Sequence, residues 1–120
     1  LRAVLHHIPG YARRLEVVRR AARTLGKNGR LVMANWQFVR IPRLVRRALP
    51  WSELGLHEEE VDAGDYLLDW QRDGYGIRYV HLIDEAETRE LARDAGLAID
   101  ELFFADGHTD DLTLYAVLRR

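Results

Sequence analysis

The sequence contains no cysteine. That excludes a disulfide framework, a thiolate nucleophile and a thiolate metal site. Ser52 is the only serine and lies outside any G-x-S-x-G turn, so serine-hydrolase chemistry has no nucleophile here. No apolar run is long enough to span a bilayer, and no charged-then-apolar leader opens the chain. A soluble protein of the reducing cytoplasm is the expectation. Five histidines and many carboxylates are present, yet none follows H-E-x-x-H or a comparably specific spacing. No metal is expected, and His57-Glu58-Glu59-Glu60 reads as an exposed acidic run.

What is there suffices for one domain: 120 residues, 48% of them hydrophobic. The net charge of −1 conceals a sharp division along the chain. Residues 1–50 hold twelve of the eighteen basic residues and a single acid, Glu16, whereas residues 51–120 hold six basic residues and eighteen acids. The halves carry about +11 and −12. Two readings follow: mutual compensation across a folded surface, or a basic face on residues 11–25 and 40–47 that attracts a polyanion such as RNA, with Arg40, Arg43, Arg46 and Arg47 as its contacts.

The stretch Ala3–Gln37 organises the rest. Ala3-Val4-Leu5 is a short apolar strand ended by His6-His7, and Pro9-Gly10 breaks it. From Tyr11, Leu15, Val18, Ala22 and Leu25 recur at helical spacing. Gly26 stands where a left-handed cap is wanted, and Gly29 permits a tight turn. Leu31-Val32-Met33-Ala34 is apolar on both faces, as in a strand covered by helices on each side. Such a unit requires a parallel neighbour reached by a right-handed crossover.

Beyond it the pattern loosens. Pro42 and Pro50 bracket Arg43–Leu49, enough for two helical turns with Leu44, Val45 and Ala48 on one side. The polar, aromatic-rich stretch through Trp51, Glu58–Glu60 and Gly64–Trp70 is too long for a simple connection and reads as a lid or binding loop. Asp84 with Glu87 three residues on forms a capping box for a helix ended by Gly96. Ala98–Ala105 and Leu112–Leu118, joined by the turn-rich Asp106–Asp111, close the chain as an antiparallel hairpin.

VLHHIPGYARR, a helix, the turn LGKNGR and the strand LVMANW together resemble the second half of class I S-adenosylmethionine-dependent methyltransferases. Asn28 replaces the proline usual in that turn, a substitution that turns accept. GDYLLDW followed by Arg78-Tyr79-Val80-His81 and an acidic helix start is similar, within that family, to the tRNA wobble-uridine carboxymethyl methyltransferases, with Asp69 where their pattern has proline. The resemblance implies an α/β fold, the C-terminal half of a Rossmann-like sheet with parallel strands and a terminal antiparallel hairpin, and places residues 38–83 as a lid within one partial domain. It implies methyl transfer from S-adenosylmethionine to a carboxylate or other polar acceptor, on tRNA in the nearest pattern. A non-catalytic RNA-binding or partner module on the same scaffold is the alternative.

The Gly-rich loop and the ribose-binding acid that hold the donor in this family are not in these 120 residues. Gly26-Lys27-Asn28-Gly29 follows a helix and precedes a strand, the reverse of a phosphate cradle. The expectation is therefore the C-terminal part of an enzyme, inactive alone, with Ala3–Leu5 as an exposed edge prone to self-association. By resemblance, Leu5, His6 and His7 line the donor site at a strand's carboxyl end. Arg78 is expected to pair with a carboxylate acceptor and His81 to hydrogen-bond it. Arg14, Trp36, Trp70 and Tyr79 are the expected substrate contacts. Each has a structural reading beside it: a loop-capping histidine, a plain strand, a core aromatic.

Overall fold

The computed structural model describes residues 2–46, 48–70 and 76–120. Nine elements follow in order: β1 (Arg2–Ala3), α1 (Tyr11–Arg23), β2 (Leu31–Trp36), α2 (Pro42–Val45), β3 (Asp65–Trp70), β4 (Gly76–His81), α3 (Glu85–Asp94), β5 (Ala98–Ala105) and β6 (Thr113–Arg119), with short 3₁₀ turns between β2 and β3. The main sheet has the order β1-β2-β6-β5, and β3 and β4 form a separate two-stranded sheet.

The α/β architecture and the terminal hairpin agree with the sequence reading, but the parallel sheet does not. Only β1 and β2 pair in parallel, over Arg2↔Val32 and Ala3↔Met33. β6 inserts antiparallel between β2 and β5, so every other ladder is antiparallel. The parallel neighbour that the strand–helix–strand unit requires is β1, and on the other side of β2 the sheet continues with a returning hairpin strand instead of a further parallel one. The strand expected at Ala3–Leu5 is also shorter, and the side chain of Asn35, not a backbone carbonyl, accepts from the Leu5 N–H at 2.8 Å.

The helices α1 and α3 cover one face of the sheet. Leu15, Val18 and Ala22 from α1 and Leu91 and Ala92 from α3 pack on Leu31, Met33, Ala116 and Leu118. The opposite face carries the half-buried Val32, Tyr115 and Val117 and the exposed Phe103, whose ring stacks on Tyr115 at 5.3 Å. Helices on both faces are therefore not found among the described residues. A second cluster, Phe38, Leu44, Leu68 and Val80, fixes the β3–β4 hairpin to the segment after β2.

Local signals were read with mixed success. Gly96 takes the left-handed φ of 73° that ends α3, whereas α1 closes on Thr24 in right-handed geometry and Gly26 is not left-handed. Gly29 is needed for close approach, since a Cβ there would lie 3.1 Å from the Gly26 nitrogen. The two turns expected after Pro42 reduce to one, because Ala48 bridges to Leu68 and Leu49 N–H donates to Leu67 O at 2.7 Å. Of the stretch that reads as a lid or binding loop, Asp65–Trp70 is a strand, paired antiparallel with Gly76–His81 and pinned by these bonds.

Candidate active site

At the carboxyl ends of β1 and β2 the chain assembles a compact polar edge. Asn35 is 1% exposed. Its side chain orders Leu5, while Gln37 Nε2 donates to Asn35 O at 3.2 Å and Ile83 O at 2.9 Å. Trp36 N–H donates to His6 Nδ1 at 3.3 Å, and the His6 ring lies 6.2 Å from Trp36, edge-on, and 4.3 Å from His7. Burial and the neighbouring His7, only partly offset by Asn35, depress His6 to about 4. His6 is neutral at pH 7, and with Nδ1 accepting, its proton sits on Nε2.

The loop after β1 carries the hairpin. His81 N–H donates to His6 O at 2.8 Å, and His7 Nδ1 lies 3.4 Å from Tyr79 O. Beneath this contact sits a buried polar ring. His81 is 2% exposed; its Nδ1 meets Asp65 Oδ1 at 2.6 Å and its Nε2 meets Glu87 Oε1 at 2.9 Å. Tyr79 Oη donates to the same Asp65 oxygen at 2.7 Å. Arg14, 1% exposed, donates to Ile8 O at 2.8 Å, and its Nε stands 3.1 Å from Glu87 Oε2, close enough for an ion pair but off the line of a hydrogen bond. Burial alone would lower His81, yet the Glu87 and Asp65 carboxylates outweigh it and hold it above its usual value. Burial and the Asp65 bond push the Tyr79 hydroxyl up, so it stays protonated.

A cleft of about 480 Å³ adjoins this edge, between Pro9-Gly10, the first turn of α1 and the β3–β4 hairpin. Tyr79 and Asp65 belong to both the cleft wall and the buried ring. Among the described residues no group of histidines and carboxylates is arranged to hold a metal, and no helix is long and apolar enough to cross a membrane.

The residues singled out from sequence are distributed as follows. Leu5, His6 and His7 share the carboxyl edge of β1 with Trp36. Arg14, Tyr79 and His81 meet in the buried ring. Arg78 is exposed and, three residues from His81 on one strand, projects from the other face of β4. The side chains of Trp70 and Arg47 lie outside the described residues. Arg40 pairs with Asp111 at 3.2 Å and stacks over Phe104, 4.5 Å from its centroid, while Arg43 and Arg46 are exposed.

Sequence reasoning missed Asn35, Asp65 and Glu87. Asn35 carried a signal, a polar residue in an apolar strand. Glu87 was read as half of a capping box. Asp84 does accept from Glu87 N–H at 2.8 Å, but the Glu87 carboxylate turns inward to His81 and Arg14.

No family model and no curated protein matches the sequence. Among solved structures, an S-adenosylmethionine-dependent methyltransferase from Clostridium acetobutylicum ATCC 824 superposes with a TM-score of 0.62 at 7% identity, over 98% of this chain and 56% of that one. The CcbJ methyltransferase from Streptomyces caelestis superposes with a TM-score of 0.55 at 16% identity, over 98% of this chain and 58% of that one. The chain shares the fold of these methyltransferases. It spans little more than half the length of either.

Proposed function

We propose that this chain forms the acceptor-side half of an S-adenosylmethionine-dependent methyltransferase. The observation that carries the reading is the carboxyl edge of the parallel β1–β2 pair, where a neutral His6, His7 and Trp36 converge within a methyltransferase fold. S-adenosylmethionine supplies an electrophilic methyl on a cationic sulfur. His6, His7 and Trp36 would hold that group, His6 without opposing its charge, while the fully buried Leu5 supports the edge from the core. The cleft beside Tyr79 would orient the acceptor, since alignment of nucleophile and methyl supplies much of the acceleration in such a transfer. Asp65, His81, Glu87 and Arg14 position Tyr79 and the hairpin. Activity of the 120 residues alone is not expected, because the family's Gly-rich loop is not among them.

The test is calorimetric binding of S-adenosylhomocysteine to the protein expressed from its whole gene. Micromolar binding that weakens at least tenfold in Trp36→Ala supports the reading; no binding at millimolar ligand overturns it. A tRNA acceptor is a second reading, favoured by the exposed Arg43 and Arg46 on one turn of chain. RNA affinity that falls steeply with salt would support it.

A further inference from the structure

We propose that the cleft beside the β1 edge recognises an organic ammonium group on an apolar body, and that the acceptor is the free amine left once its proton passes to solvent by way of the exposed Asp62 carboxylate. The assignment of this ligand as acceptor rests on the methyl-transfer reading; its binding does not.

The cleft has an aromatic corner. Trp51 and Tyr79 both line it, with ring centroids 6.4 Å apart and planes inclined at 50°, so the two rings are tilted and not stacked on each other. Tyr79 is fixed in that pose by its bond to Asp65. The face of an aromatic ring carries negative potential and attracts a cation, most strongly for Trp.

The charges at the cleft point the same way. Three carboxylates, Glu60, Asp62 and Asp65, stand against one cation, Arg13. Asp65 is compensated by His81, and among the described residues Glu60 accepts only a backbone N–H, that of His57 at 3.2 Å. The Asp62 carboxylate makes no hydrogen bond or ion pair among the described residues. Neither does the Arg13 guanidinium. Glu60 and Asp62 against Arg13 leave the cleft net negative, so a carboxylate ligand is repelled and an ammonium is drawn in. Leu54, 52% exposed, and the half-buried Leu56 add an apolar wall. A volume near 480 Å³ lies in the range of small-molecule sites, about 300–1,000 Å³.

The experiment is an NMR titration of the whole-gene protein with choline, with its uncharged isostere 3,3-dimethyl-1-butanol, and with benzoate. Choline is expected to bind at least about threefold more tightly than the isostere, and Trp51→Leu and Asp62→Asn are each expected to weaken it by about threefold to tenfold. Equal affinity for choline and the isostere, or preference for benzoate, overturns the proposal. Asp62 is exposed, so its variant tests the charge without risk to the fold. S-adenosylhomocysteine binding measured on the same sample separates the two ideas. Choline selectivity without donor binding leaves the ammonium site standing and removes its role as acceptor site; donor binding without choline selectivity overturns the ammonium site alone.

Discussion

His81 and Glu87 meet at 2.9 Å across the turn into α3, and the second Glu87 oxygen lies 3.1 Å from Arg14 on α1. One carboxylate thereby ties the β3–β4 hairpin to both helices of the main layer. Removing it should be costly out of proportion to its size. Glu87→Ala leaves Arg14, 1% exposed, as an uncompensated buried cation, and breaking such a pair costs about 3–5 kcal/mol. Urea denaturation should show that loss, and the double variant Arg14→Met/Glu87→Leu should recover most of it, because both charges then leave together.

The buried His81 and the half-buried His6 predict opposite slopes of stability with pH. His81 is held above its usual value in the folded protein, so its contribution is fully present below about pH 6.5 and is lost as pH rises through the folded value. His6 is depressed to about 4, so the unfolded chain binds the extra proton between that value and 6.5, and stability falls as pH drops through this window. Denaturation midpoints should therefore peak near pH 6.5. His81→Gln should flatten the alkaline limb and leave the acid limb, and His6→Gln should do the reverse. Unchanged limbs would show that neither histidine titrates as its surroundings require.

These relationships also explain which parts of the structure could be read in advance. The apolar stripe of α1, the both-faces-apolar β2 and the turn-rich link at Asp106–Asp111 were legible because each is a local pattern. The insertion of β6 between β2 and β5 was not, since strand order depends on pairings between distant residues. The strand at Asp65–Trp70 and its pairing with Gly76–His81 were hidden because these strands mix polar and apolar residues: Tyr79 and His81 face a charged ring instead of an apolar core. Candidate residues at the β1 edge came from the family resemblance and from their place at a strand's carboxyl end. The ring around His81 was found only in part, because Asp65 and Glu87 look like ordinary surface acids until the fold turns them inward.

Asn35 is the residue on which the β1 edge depends. Its Oδ1 is the acceptor for Leu5 N–H in a place where β1 has stopped pairing with β2, and the site is sealed from water. Asn35→Leu fills similar space and leaves that donor unsatisfied, a loss of about 1–3 kcal/mol. Hydrogen exchange should show the Leu5 amide losing protection more than amides in the core of β6. Equal loss in both would mean that Asn35 acts only through general packing.

Gly64 opens the hairpin at φ 90°, and a Cβ there would stand 3.3 Å from His81 Cε1 and 3.4 Å from Leu82 O. Two costs are therefore superposed in Gly64→Ala: a backbone conformation that side-chain-bearing residues avoid, worth about 1–3 kcal/mol, and crowding of the imidazole that Asp65 and Glu87 hold in place. The second cost vanishes where the imidazole is absent; the first does not. Gly64→Ala should thus destabilise the wild-type background more than the His81→Ala background, with a coupling of about 0.5 kcal/mol or more by double-mutant cycle. Additivity of the two changes would mean that the His81 ring gives way freely, and that the buried ring does not hold the cleft wall rigid.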